Sequence, residues 1–271
     1  MRRYVTFDVE TVADEALVSA VDGEPTRSYG EALRRVLAER RARTGGRSDF
    51  LPLPYHRPVA ACLLEAVEEG GILRIADVAA WTDREGNEAE FLARTWDRLA
   101  GAALVTFHGK GFDVPVLELR SLKHGVPIPG WFTARRGGVI VEHHDLKEIL
   151  SAHGAATSAP LDLYAKLVGL PGKQDVAGAD VQALYAQGAL GRIAAYCMTD
   201  VVQTFLLFLR HRLVDGAITA DGYAESTALV REELPRLFQL RLSAEERSVL
   251  DGFVERCAPF FGGSEPARRT G

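Results

Sequence analysis

Apolar and polar positions along the chain change rhythm several times. Arg3–Thr11 (Arg-Tyr-Val-Thr-Phe-Asp-Val-Glu-Thr) is dominated by β-branched and aromatic residues and predicts a first strand. Arg57–Val67 and Gly71–Trp81 predict two more, joined by the turn Glu68-Glu69-Gly70-Gly71. Asn87–Leu99 has helical spacing, with Phe91, Leu92, Thr95, Trp96 and Leu99 on one side. Ala103–Phe107 is continuously apolar, the pattern of a buried strand, and Val139–Val141 predicts another short strand. Between them Val114–His124 predicts a helix, with Pro115 tolerated in its first turn. Helical spacing then dominates: Asp145–Ala152, Pro160–Val168, Ala179–Ala186, Gly191–Val214 and Ser243–Arg256. Strands first, then a strand-helix-strand unit, then helices predict an α/β domain with a mixed β-sheet flanked by helices.

Two stretches depart from this. Gly23–Pro54 holds a helix-like segment, Tyr29–Arg43, with Arg34, Arg35, Arg40, Arg41 and Arg43, followed by Gly, Ser and Pro. It is expected to be a surface insertion, a solvated basic face first and a nucleic-acid guide second. The tail 262–271 is rich in Gly and charge and is expected to be disordered, leaving one domain over 1–261.

Composition narrows the class. With 47% hydrophobic and 25% charged residues among 271, the chain has an ordinary globular profile, which excludes a disordered, collagen-like or coiled-coil protein. Apolar runs are far below the ~18 residues of a membrane span, and Met1-Arg2-Arg3 leads into a strand rather than a signal peptide. A cytoplasmic location without membrane contact is the expectation. Cys62, Cys197 and Cys257 are too few and too scattered for a disulfide framework or a cysteine zinc site. The net charge of −5 does not advertise a nucleic-acid binder. Such binding would need a local basic patch, or metal ions on some of the acids.

Three segments carry candidate chemistry. Asp8 and Glu10 lie two apart on a strand and so face the same way. Side by side on an apolar strand, two carboxylates repel unless a cation separates them, and hard divalent ions take such oxygens. Asp-x-Glu is also common by chance, so taken alone an edge strand with solvated acids is the simpler explanation. In Thr106-Phe107-His108-Gly109-Lys110-Gly111-Phe112-Asp113, a buried strand runs through a Gly-rich turn to an acid at a helix start. Asp113 stands where an N-cap belongs. The glycines fit neither Gly-x-Gly-x-x-Gly nor a Walker A loop. On the third segment, Tyr196 and Asp200 are four apart on a helix and hence neighbours. An acid on a largely apolar helix needs a partner or a metal. Four carboxylates could hold two divalent ions for phosphodiester hydrolysis, with the tyrosine orienting water.

These segments, Phe7-Asp8-Val9-Glu10-Thr11, Val105 to Leu117 and Tyr196 to Thr204, resemble the three motifs of the DEDDy 3′–5′ exonucleases. The closest likeness is the bacterial standalone family related to the proofreading domain of family B DNA polymerases. Leu161–Lys173, with its Leu-Pro-Gly-Lys end, is similar to a stretch of the same family. The resemblance implies a ribonuclease H-like fold and hydrolysis of single-stranded DNA from the 3′ end with two Mg²⁺ or Mn²⁺ ions. It also implies Asp8, Glu10, Asp113 and Asp200 as metal-binding acids, Tyr196 as the motif tyrosine, and Thr11, His108, Phe112 and Lys173 as substrate-binding residues. His108 departs from the pattern, which has Asn there.

The alternatives are an exoribonuclease with the same acids and a silent nucleic-acid-binding domain. A complete acid set argues against the silent domain. Recruitment by replication or repair proteins is a further expectation. Asp145 reads as a helix N-cap, with a fifth active-site acid as the second reading. His143 and His144 are adjacent and point apart, a poor zinc pair. Trp81, Trp96 and Trp131 are expected at or near the core.

Overall fold

The computed structural model describes residues 1–84, 86–131, 142–173 and 181–262. Five strands form one sheet: β1 (Arg2–Ala13), β2 (His56–Glu69), β3 (Ile72–Thr82), β4 (Ala103–Thr106) and β5 (His143–Asp145). Their order is β3-β2-β1-β4-β5. β1, β2 and β3 pair antiparallel, whereas β4 and β5 add in parallel on the other side of β1. The β2–β3 turn falls where the sequence places it. Gly70 and Gly71 both have positive φ, which side chains rarely adopt. The strand expected at Val139–Val141 lies outside the described residues, and the last described strand is His143–Asp145.

The sheet is covered on both faces. Alternate residues of β1, Val5, Phe7 and Val9, pack with Phe91, Leu92, Trp96 and Leu99 of α3 (Glu88–Leu99) and with Val114 and Leu117 of α4 (Asp113–His124). Trp81 and Trp96 are buried in this layer, and Trp131 packs against it. The opposite face of the sheet packs on α8 (Leu190–Val214), where Phe205 and Phe208 are fully buried. Each such side chain contributes about 1.5–3 kcal/mol by leaving water. α8 is long and apolar enough to cross a membrane, but 78% of that stretch is buried inside the molecule.

The other helices before α8 are α1 (Glu15–Asp22), α2 (Tyr29–Arg43), α5 (Leu146–Leu150), α6 (Leu161–Leu167) and α7 (Val181–Ala186). Val18 of α1, Ala32 and Val36 of α2 and Leu51 form a small apolar cluster of their own. Past α8 come α9 (Ala220–Arg241), α10 (Ala244–Leu250), α11 (Phe253–Arg256) and α12 (Ala258–Gly262). Sequence spacing misses α9, a 22-residue helix with Pro235 in its interior, where proline usually breaks a helix. Ser243–Arg256 is not one helix. It breaks at Asp251-Gly252, with Gly252 in the left-handed region. The tail from 263 onward lies outside the described residues. The three cysteines are free and buried.

Candidate active site

β1 and β4 run parallel, with Tyr4 opposite Ala103 and Thr6 opposite Val105. Their C-terminal ends therefore reach the same edge of the sheet, where ligand sites of α/β proteins gather. Asp8 and Glu10 leave β1 on the face toward α8, as their spacing predicts. α8 crosses beneath them, and the Cys197 thiol lies 3.3 Å from the Asp8 carbonyl oxygen. One carboxylate oxygen each from Asp8, Glu10 and Asp200 lie within 4.8 Å of one another.

Asp113 joins this edge by a different route from the one its position suggests. It does not cap α4. It is the first helical residue, and Phe112 occupies the cap position. Its Oδ1 accepts a hydrogen bond from the Val9 amide, 3.1 Å away and 104 residues distant in sequence. That bond ties the helix start to the strand segment between the other two acids.

The acids hold their protons unusually tightly. Burial, then the charges of Asp113, Glu10 and Asp200, push Asp8 well above the usual carboxylate range. Glu10 is pushed up to about 8, chiefly by burial and then by Asp200. Burial raises Asp113 to about 7, although the Val9 amide lowers it. Burial also raises Asp200, against the opposing charge of Lys173. A set of hard oxygen donors that resists ionising on its own is a fitting cage for divalent cations.

Lys173 is brought into the same cluster. Its Nζ lies 3.1 Å from Asp200 Oδ2. Burial lowers its pKa, but Asp200, Glu10 and Asp8 outweigh that and raise it. Its turn is held from two sides. The Gly172 amide donates to the buried Gln203 Oε1 of α8 at 2.8 Å, and the Lys173 amide donates to Asp162 Oδ1 of α6 at 2.7 Å. Gly172 has φ +70°, and a Cβ there would strike Asp162 and Lys166. Gln203 and Asp162 carry no motif that marks them as site residues. Their signal is weak, since only Gln203's place one turn past Asp200 on the same helix marks it.

The Gly-rich turn is a close-packing device rather than a phosphate cradle. A Cβ on Gly109 would meet the Thr106 side chain, and one on Gly111 would meet the His108 ring. His108 itself has φ +75°. Asn, Asp and His are the non-glycine residues that most readily take this conformation, which accounts for His where the family pattern has Asn. Asp145 fastens the turn: His108 N donates to Oδ1 at 2.8 Å and Lys110 N to Oδ2 at 2.9 Å. Asp145 also caps α5 through the Lys147 and Glu148 amides, as expected. Both of its oxygens are thus engaged by backbone amides. His143 bonds Thr106 and His144 bonds Glu142, so the pair does point apart.

Tyr196 lies one turn before Asp200 on α8, half-buried against the main core. Thr11 pairs with His56. Leu51 O can only accept, so His56 Nε2–H donates to it at 3.1 Å, and in the neutral ring Nδ1 accepts from the Thr11 hydroxyl at 2.9 Å. Phe112 sits edge-on to the His56 ring, with centroids 4.9 Å apart.

A mixed five-stranded sheet flanked by helices, with half-buried acids of β1 and α8 meeting at the edge where the parallel strands end, defines a ribonuclease H-like α/β protein. A family model, described as a predicted 3′–5′ exonuclease related to the exonuclease domain of PolB, matches residues 48–257, and the chain belongs to that family. No curated protein matches the chain. Membership makes it a member of a nuclease family whose substrate is nucleic acid. Asp113, Lys173, Tyr196 and Asp200 fall within the matched span, whereas Asp8 and Glu10 precede it.

Proposed function

We propose that this chain is a 3′–5′ exonuclease that removes nucleotides from the 3′ end of single-stranded DNA and releases nucleoside 5′-monophosphates. The observation that carries this reading is the meeting of Asp8, Glu10 and Asp200 within 4.8 Å, beside the buried Asp113. We also take residues 1–261 as one exonuclease domain, with 23–54 as an insertion on its surface.

Asp8, Glu10, Asp113 and Asp200 would hold two Mg²⁺ or Mn²⁺ ions, which supply an activated water and a counter-charge for the departing oxygen. The water oxygen bonds to the terminal phosphorus as the 3′-oxygen of the preceding nucleotide leaves, taking a proton. Tyr196 orients the attacking water through its hydroxyl. Lys173 balances negative charge that the acids and the phosphate bring together. Thr11, His108 and Phe112 line the approach of the strand, His108 through the turn that it shapes.

The test is a strand labelled at its 5′ end, incubated with Mn²⁺. A descending ladder is expected, slowed by a 3′-phosphate and stopped by a chelator. Asp8→Asn or Asp200→Asn should lose several orders of magnitude in rate while remaining folded. Full turnover by either variant, or early release of the 5′ nucleotide alone, would contradict the assignment. Faster cleavage of an RNA strand of the same sequence would move the substrate to RNA.

A further inference from the structure

Segment 23–54 places an exposed aromatic ring against Phe112, the residue before Asp113. Phe50 is 56% exposed. Its ring lies 4.9 Å from that of His56 and 5.7 Å from that of Phe112. The rings connect to the acids through chain neighbours and a hydrogen bond. Phe112 precedes Asp113, and His56 is hydrogen-bonded to Thr11, which follows Glu10.

The ring is held in place from below. Arg40 Nε of α2 donates to the Phe50 carbonyl at 3.0 Å, and the Phe50 amide donates to Ser48 Oγ at 3.0 Å. Leu51 is buried in the small cluster with Val18 and Val36, and its carbonyl accepts from His56. A large apolar ring that is exposed yet tethered on both sides is suited to receive a flat ligand. Beside it, α2 presents the exposed Arg34, Arg41 and Arg43 in an otherwise acidic chain.

We propose that Phe50, packed beside Phe112 and His56, adds a stacking face for one unpaired base at or next to the 3′ end of the strand. The basic helix α2 faces the phosphates of the strand beyond. Aromatic faces accept any base, so the platform selects an unpaired end rather than a sequence. The inference rests on the exonuclease reading in that a nucleic-acid 3′ end must reach the acids.

The experiment compares the full chain with Phe50→Ala and Phe50→Trp on single-stranded DNA in Mn²⁺. The strands carry either normal bases or one abasic site at each of the last three positions in turn. Phe50→Ala should raise KM about tenfold on the normal strand, with kcat within about twofold and an unchanged melting temperature. Phe50→Trp should restore KM. At one abasic position wild type and Phe50→Ala should coincide, which locates the stacked base. An unchanged KM in Phe50→Ala, or the same rise on all three abasic strands, would overturn the platform.

If wild type cuts no strand, the exonuclease reading falls by itself. The platform is then read by binding a strand with 2-aminopurine at each of those positions. Fluorescence quenched by wild type and not by Phe50→Ala would support it, and equal fluorescence would overturn it.

Discussion

At the scale of single residues, Lys173 and Tyr196 are asked to do different work. Lys173 is a charge, and its place is fixed by a turn that Gln203 and Asp162 hold through backbone amides. Tyr196 is a hydroxyl on a half-buried ring, one helical turn from Asp200. Tyr196→Phe keeps the ring packing and removes the oxygen alone. Turnover should fall by about 10²–10⁴-fold, the usual worth of a positioned acid–base or orienting group. Strand affinity, Mn²⁺ binding and melting temperature should stay close to wild type. A Phe variant as fast as wild type across the pH range would remove Tyr196 from the mechanism.

At the scale of elements, the loop between β4 and α4 is the weakest-looking part of the site and the most heavily tied. It contains a non-glycine residue with positive φ and two glycines packed against side chains. What holds it is Asp145, at the end of β5, accepting from two loop amides and capping α5 at once. Asp145→Ala leaves those amides without their charged acceptor. Hydrogen bonds to a charged group contribute about 1.5–3 kcal/mol, so a stability loss of about that size is expected in urea titration. Turnover should fall with it, because Asp113 follows the loop. Asp145→Asn keeps part of the acceptor set and should recover part of both. An Asp145→Ala protein of wild-type stability would show that the loop holds itself.

Over the whole molecule, two buried charge systems respond oppositely to pH. The first joins the start of α1 to α3 and α4. Arg120, Asp14 and Glu88 are all nearly inaccessible, and Arg120 donates to both acids. Burial pushes Asp14 up, but hydrogen bonds from Lys123, the Leu17 amide and Arg120 outweigh that and hold it well below the carboxylate range. The stability it contributes is present above the unfolded pKa of about 4 and is lost as pH falls. Arg120→Met strands two buried carboxylates and should cost about 3–5 kcal/mol, read as a lower denaturation midpoint. A loss below about 1 kcal/mol would mean that Lys123 and His124 suffice, since exposed pairs are worth about that much.

The second system is the acid cluster, whose folded pKa values are raised. Without metal, the folded protein keeps protons that the unfolded chain has released. Its contribution is therefore intact below the unfolded pKa of about 4. It is lost as pH rises toward the folded values of about 7 for Asp113 and about 8 for Glu10. Divalent ions bind the ionised acids and reverse that loss. Mn²⁺ should therefore raise the melting temperature more at pH 8 than at pH 6. Metal-free Asp8→Asn should melt above wild type at pH 8 and respond little to Mn²⁺. An equal Mn²⁺ shift at both pH values would rule out this cluster as the metal-linked group.

Periodicity and side-chain chemistry are local properties, and the sequence alone determined what depends on them. The first three strands, the buried strand at Ala103, the Gly70-Gly71 turn, α3 and the long helix α8 follow from spacing of two or 3.6 residues. So does the shared face of Asp8 and Glu10. Helix α9 was not legible, because its interior proline opposes the local rule and packing on β3 and the main core overrides it. What met what was decided by tertiary structure. The order of strands brings Val9 to Asp113 across 104 residues and His108 to Asp145 across 37. These contacts turned one expected cap into a strand tie and gave an expected cap a second task as a loop anchor. They also placed Lys173 on Asp200 and Phe50 on Phe112. No residue in those pairs carries a local sign of its partner, because long-range contacts are set by sheet order and register rather than by neighbours in the chain.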